Sequence, residues 1–161
     1  MVAARMPRVV RRLALLSPGG FGLSGGPTLD LRRMPDRQEA SEAERREVLR
    51  HNLMVLMLAR AETADDETIE IQRANVVRAR YDTRVFSLAP HTLDALPVIA
   101  APTLLIYGER DNLAWPSVQA RIDVCRAQKG DIRVDTIAEA GHWVQYEAAR
   151  AVNRLLVDFF A

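Results

Sequence analysis

The chain has 161 residues, 48% of them hydrophobic, which is enough for one domain with a substantial core. A formal net charge of +1 gives no electrostatic case for a nucleic acid or an anionic membrane surface as partner. A single cysteine, Cys125, excludes an internal disulfide framework and fits a reducing compartment, and no apolar run approaches the ~20 residues that cross a bilayer. The opening Met1-Val2-Ala3-Ala4-Arg5-Met6-Pro7 is too short and too soon interrupted for a secretory signal, so a soluble cytoplasmic protein is expected.

Taken in order, residues 1–10 read as the tail of a helix that Pro7 ends. Leu13-Ala14-Leu15-Leu16 is a short apolar run of the buried-strand kind, stopped by Ser17-Pro18-Gly19-Gly20-Phe21-Gly22. The composition changes between residues 35 and 81. Residues 37–60 are rich in Glu, Arg, Leu and Ala and end in the dense apolar run 53–58. Asp65-Asp66-Glu67 supplies an acidic start for a second helix over 69–81, with no strand between the two. After Pro102 the pattern alternates: strand, helix (about 116–128), strand (132–137), helix (147–160). Such alternation predicts a parallel sheet with crossover helices. There is no internal repeat and no low-complexity segment.

Two strand ends carry residues of catalytic type. Ala101-Pro102-Thr103-Leu104-Leu105-Ile106 runs into Tyr107-Gly108-Glu109-Arg110-Asp111, and Ile132-Arg133-Val134-Asp135-Thr136-Ile137 leads to Ala140-Gly141-His142-Trp143. If the strands are parallel neighbours, Asp111 and His142 share one edge of the sheet. A carboxylate there can accept the Nδ1 hydrogen, fix the tautomer and leave Nε2 free as a base. Each residue also has an ordinary reading, Asp111 as a loop or helix cap and His142 as part of a turn.

These segments resemble the acid loop and the histidine loop of the α/β-hydrolases. Tyr146-Glu147 resembles the start of that family's final helix, and residues 11–20 look like the strand before its cap domain. The resemblance implies a partial α/β-hydrolase fold: about three parallel strands with flanking helices and a helical cap. It implies a core strand in 1–22, a cap in 23–97, and a C-terminal core in 98–161 bearing both loops. Asp111 would be the triad acid and His142 the base. The family places its nucleophile on a G-x-S-x-G strand-to-helix turn. Residues 1–6 look like the helix after that turn, so the expectation is a C-terminal half without its nucleophile.

Gly22-Leu23-Ser24-Gly25-Gly26 matches that motif by letter, and Ser24, Asp111 and His142 stand in the family's order. The strand, however, ends near Ser17, and Pro27 and Pro35 interrupt the stretch where a helix would have to begin. The context assigns residues 22–26 to a hinge, with Ser24 as nucleophile the alternative. Trp143, Leu53 and Met57 are candidates for an apolar substrate pocket, the alternative being plain packing. His51 and His91 read as solvated or structural, Asn75, Arg78 and Arg80 as a solvated helix face, and Cys125 as half-buried and inert.

The expected activity is hydrolysis of an ester, or of a carbon–carbon bond beside a carbonyl, in a small molecule with an apolar part. No metal or organic cofactor is expected, since no ligand-spaced cluster is present. The alternative is a non-catalytic half-domain that binds a complementary chain. Either way a strand at 13–16 without its N-terminal neighbours presents an open edge, so self-association, or pairing with a complementary N-terminal half, is expected.

Overall fold

The computed structural model describes the chain except residues 23–25, 27, 37, 82 and 83 and the side chains of 84 and 85. Its centre is a parallel sheet of β1 (Leu13–Leu16), β2 (Thr103–Gly108) and β3 (Arg133–Ile137) in the order β1-β2-β3. Leu13 pairs with Thr103, and Gly108 with Ile137. Every residue of β2 is buried, as a central parallel strand covered on both faces requires.

The period of two along β2 divides the core. Leu105 and Tyr107 pack on one face with Ile122 and Cys125 of α6 (Val118–Gln128), together with Phe21, Leu96 and Ile132. Leu104 and Ile106 pack on the other with Ala140 and Val144, against α8 (Ala149–Phe160). Helix α8 presents Val152, Leu155, Leu156 and Phe159 at helical spacing. A short α1 (Val2–Arg5) precedes β1.

Among the described residues no strand separates β1 from β2. The interval holds α2 (Glu42–Leu56), α3 (Asp66–Arg78), the short α4 (Arg84–Leu88) and α5 (His91–Ala95), and two 3-10 turns. Helix α2 starts at a capping box, in which Ser41 Oγ accepts the Glu44 N–H and Glu44 accepts the Ser41 N–H. The Ser41 hydroxyl, and after it the Ser41 N–H, donates to the Glu44 carboxylate and holds it below its ordinary value. Asp65 caps α3 by accepting the Thr68 N–H at 2.8 Å. Arg46 ties the two helices together through Asp66 and Glu70. His51 has a structural place, its Nε2 lying 2.6 Å from the Asp30 carbonyl oxygen. No helix among the described residues is long and apolar enough to cross a membrane.

Cys125 departs from expectation, being wholly buried rather than half-buried. Burial pushes its thiol up to about 11, against a smaller opposing effect of the Arg121 charge one turn away. At pH 8 only about one thiol in a thousand is then ionised, so an aromatic disulfide reagent should react at least ~100-fold more slowly with native than with unfolded chain. Equal rates would show that the α6–β2 layer opens freely.

Candidate active site

Both candidate residues follow directly from the sheet. Beyond Gly108, the Glu109 and Arg110 N–H groups donate to the carbonyls of Ile137 and Ala140, each at 3.0 Å, so the loops after β2 and β3 are laced together. A Cβ on Gly108 would collide with the Ala140 and Gly141 carbonyl oxygens, so only glycine allows this approach. The lacing brings Asp111 against His142: Nδ1 lies 3.1 Å from Oδ1 and 3.0 Å from Oδ2.

The Asp111 side chain is 1% exposed and that of His142 24%. Asp111 Oδ1 also accepts the Leu113 N–H at 2.9 Å, which fixes the carboxylate plane. Asp111 is thus a loop-capping residue as well as the imidazole's partner, and the two readings of the sequence coexist. The carboxylate can only accept, so the contact requires hydrogen on Nδ1. Nothing among the described residues hydrogen-bonds Nε2. The pair can therefore orient an imidazole whose second nitrogen is free to take up a proton.

The end of α2 sits over both loops. The Trp143 N–H donates to the Met57 carbonyl at 2.9 Å, and Asn112 Nδ2 to the Val55 carbonyl at 3.1 Å. Leu53, Leu58 and Ala64 form a buried cluster, with Met54, Met57 and Trp143 packed against it. Leu53 is 1% exposed and serves this packing, while Met57 and Trp143 are half-buried beside His142. Thr68 Oγ1 lies 2.8 Å from the Tyr146 hydroxyl and joins α3 to α7 (Val144–Glu147). Ser24 lies outside the described residues.

One residue at the site was given no role from the sequence. The Glu147 side chain is fully buried, and its carboxylate accepts the N–H groups of Ala59, Arg60 and Gly141. The sole signal in the sequence is an acidic residue in a stretch after the histidine that holds Trp143, Val144 and Tyr146, and charge alone does not reveal burial.

A parallel sheet whose strand-end loops join a carboxylate to a histidine beneath an inserted helical layer defines a class, and sequence comparison places the chain in it. Residues 1–155 match the alpha/beta hydrolase family, and the chain belongs to that family. It is 40% identical over 63 residues to a 2-hydroxy-6-oxononadienedioate/2-hydroxy-6-oxononatrienedioate hydrolase of Paraburkholderia xenovorans, covering 39% of this chain and 21% of that protein. It is 28% identical over 164 residues to a hydrolase of the same description from Cupriavidus pinatubonensis, covering 95% of this chain and 54% of that one. Among solved structures, a meta-cleavage product hydrolase from Pseudomonas fluorescens superposes with a TM-score of 0.71 at 19% identity, over 98% of this chain and 58% of that one. The chain spans about half the length of the Cupriavidus relative.

Proposed function

We propose that the chain is the acid-and-base-bearing part of a serine-type α/β-hydrolase. It acts with a nucleophile supplied outside the described residues, on a small substrate with an apolar portion. In the reaction His142 takes the nucleophile's proton at Nε2 and returns it to the leaving group, while Asp111 holds the ring and stabilises its cationic form. The Asp111–His142 contact at 3.0 Å carries this assignment. The bond cleaved is a carbon–carbon bond beside a ketone or an ester. The Paraburkholderia and Cupriavidus relatives, hydrolases named for 2-hydroxy-6-oxo acids, favour the first. The helices between β1 and β2 serve as the cap, with Met57 and Trp143 on the substrate side.

The chain alone should leave an activated ester and a 2-hydroxy-6-oxo dienoate untouched, because among the described residues no nucleophile hydrogen-bonds His142 Nε2, and a base and an acid by themselves have nothing to activate. A hybrid in which an N-terminal part carrying a G-x-S-x-G strand-to-helix turn precedes Met1 should turn over at least one of them. Turnover by the chain alone, lost on His142→Ala, would overturn the half-enzyme reading.

The partner surface is the free side of β1. Leu13–Leu16 stand at the sheet edge and only half-buried, and Val2, Met6 and Val9 just before them are exposed. An open apolar edge of this kind pairs with another strand, here a complementary N-terminal half. Without that half the purified chain should self-associate at tens of micromolar, roughly where open edges aggregate. Light scattering from a stable monomer would contradict this.

A further inference from the structure

We propose that Glu147 is the positioning residue of the histidine loop, a buried latch that sets His142 against Asp111 by tying the loop to the end of α2. The inference rests on reading Asp111 and His142 as acid and base, and concerns what holds that pair in register.

A carboxylate with no exposed surface is costly to bury unless its oxygens are filled. Here they are filled from two parts of the chain. Oε2 accepts the Gly141 N–H at 2.6 Å, immediately before His142. Oε1 accepts the Arg60 N–H at 2.9 Å, and the Ala59 N–H reaches both oxygens at 3.0 and 3.1 Å. Bonds from N–H to an ionised carboxylate are stronger than those to a neutral acceptor. The Arg60 guanidinium adds a bond to the Glu147 backbone carbonyl, which fixes the far end of the same residue.

The seat has no slack. A Cβ on Gly141 would lie 2.8 Å from the Ala59 nitrogen and 2.9 Å from the Met57 oxygen, so the loop and the end of α2 are in backbone contact. The Trp143 N–H to Met57 carbonyl bond closes the other side of His142. His142 thus stands between two anchored backbone N–H groups, those of Gly141 and Trp143, and the acceptor of the first is the Glu147 carboxylate. Any displacement of residues 57–60 is passed through that carboxylate to Gly141 and so to the imidazole. Glutamine cannot replace it. Its amide offers one acceptor oxygen, and its NH2 would face N–H donors.

The test is amide hydrogen exchange on the full chain joined to the N-terminal part of the hybrid, which covers the β1 edge, read beside the Nδ1–H proton resonance of His142. In the wild type Ala59, Arg60 and Gly141 should exchange together. In Glu147→Gln all three should exchange about tenfold faster or more, and the Nδ1–H resonance should broaden or vanish. Glu147→Asp, which keeps two charged acceptors, should recover part of both signals. A residue that merely stabilised the fold would lower the melting temperature without moving the Nδ1–H signal, and an unchanged resonance in Glu147→Gln overturns the proposal. Should that variant fail to fold, the wild type decides: matched rates at Ala59 and Gly141 support the latch, and rates differing by more than about 100-fold overturn it. Failure of the underlying acid–base reading looks different, with no Asp111-dependent Nδ1–H resonance in the wild type while the exchange rates still report on the latch.

Discussion

In the hybrid carrying a nucleophile-bearing N-terminal part, His142→Ala should lower kcat for an activated ester by about 10⁴-fold, and Asp111→Asn by a similar factor. The two losses have different origins. Alanine removes the group proposed to take the nucleophile's proton. Asparagine keeps the shape of Asp111 but replaces one acceptor oxygen with a donor, which favours the tautomer with hydrogen on Nε2 and blocks the base. The double variant should be little worse than His142→Ala alone, because the residues act as one unit. The check is kcat for the three variants on one substrate. Asp111→Asn within a factor of about ten of the parent would remove Asp111 from the mechanism, since orienting carboxylates are worth far more.

The largest effect on folding should come from Gly108→Ala. The added methyl would meet the Ala140 and Gly141 carbonyls, and both belong to backbone held by other bonds. Relief requires breaking the Glu109 and Arg110 bonds to the β3 side and pushing Gly141 toward Ala59, where there is no room. A destabilisation of about 3 kcal/mol is expected, at the upper end for overpacking because the obstacle is backbone rather than a flexible side chain. Gly130→Ala is the control. A Cβ there meets nothing within 4 Å, so its effect should stay within about 0.5 kcal/mol. Denaturant midpoints at unchanged slope provide the comparison. Equal midpoints for the two variants would mean that the loops after β2 and β3 are not in contact.

The three strands and the long helices were legible because their patterns are local. The apolar run before Asp111 marks β2, although the strand is shifted two residues later than the run. Pro102 has no N–H for the ladder, and Tyr107 and Gly108, readable as loop, pair with Thr136 and Ile137. The acidic cluster before Ile69 marks the start of α3, with Asp65 as its cap. The pairing of Asp111 with His142 was legible too, because parallel strands deliver their following loops to one edge.

What stayed hidden depends on contacts far apart in sequence. The expected helix over 147–160 is broken at Ala148, so that Glu147 ends α7 rather than opening α8. The bonds that use its carboxylate come from residues 59, 60 and 141, and nothing beside it in the sequence announces them. The short α4 and α5 have too few turns to show a period. Cys125 looks unremarkable in the sequence because its burial is set by Tyr107 and Phe21 across the layer.

The central claim is that Asp111 holds the His142 imidazole with its proton on Nδ1 and leaves Nε2 bare. Nitrogen-15 spectra of the side chain, recorded where the ring is neutral, test it most directly. A protonated Nδ1 and a bare Nε2, reversed in Asp111→Asn, is the predicted result. A neutral ring carrying its hydrogen on Nε2 in the unaltered chain, indifferent to Asp111→Asn, would contradict it.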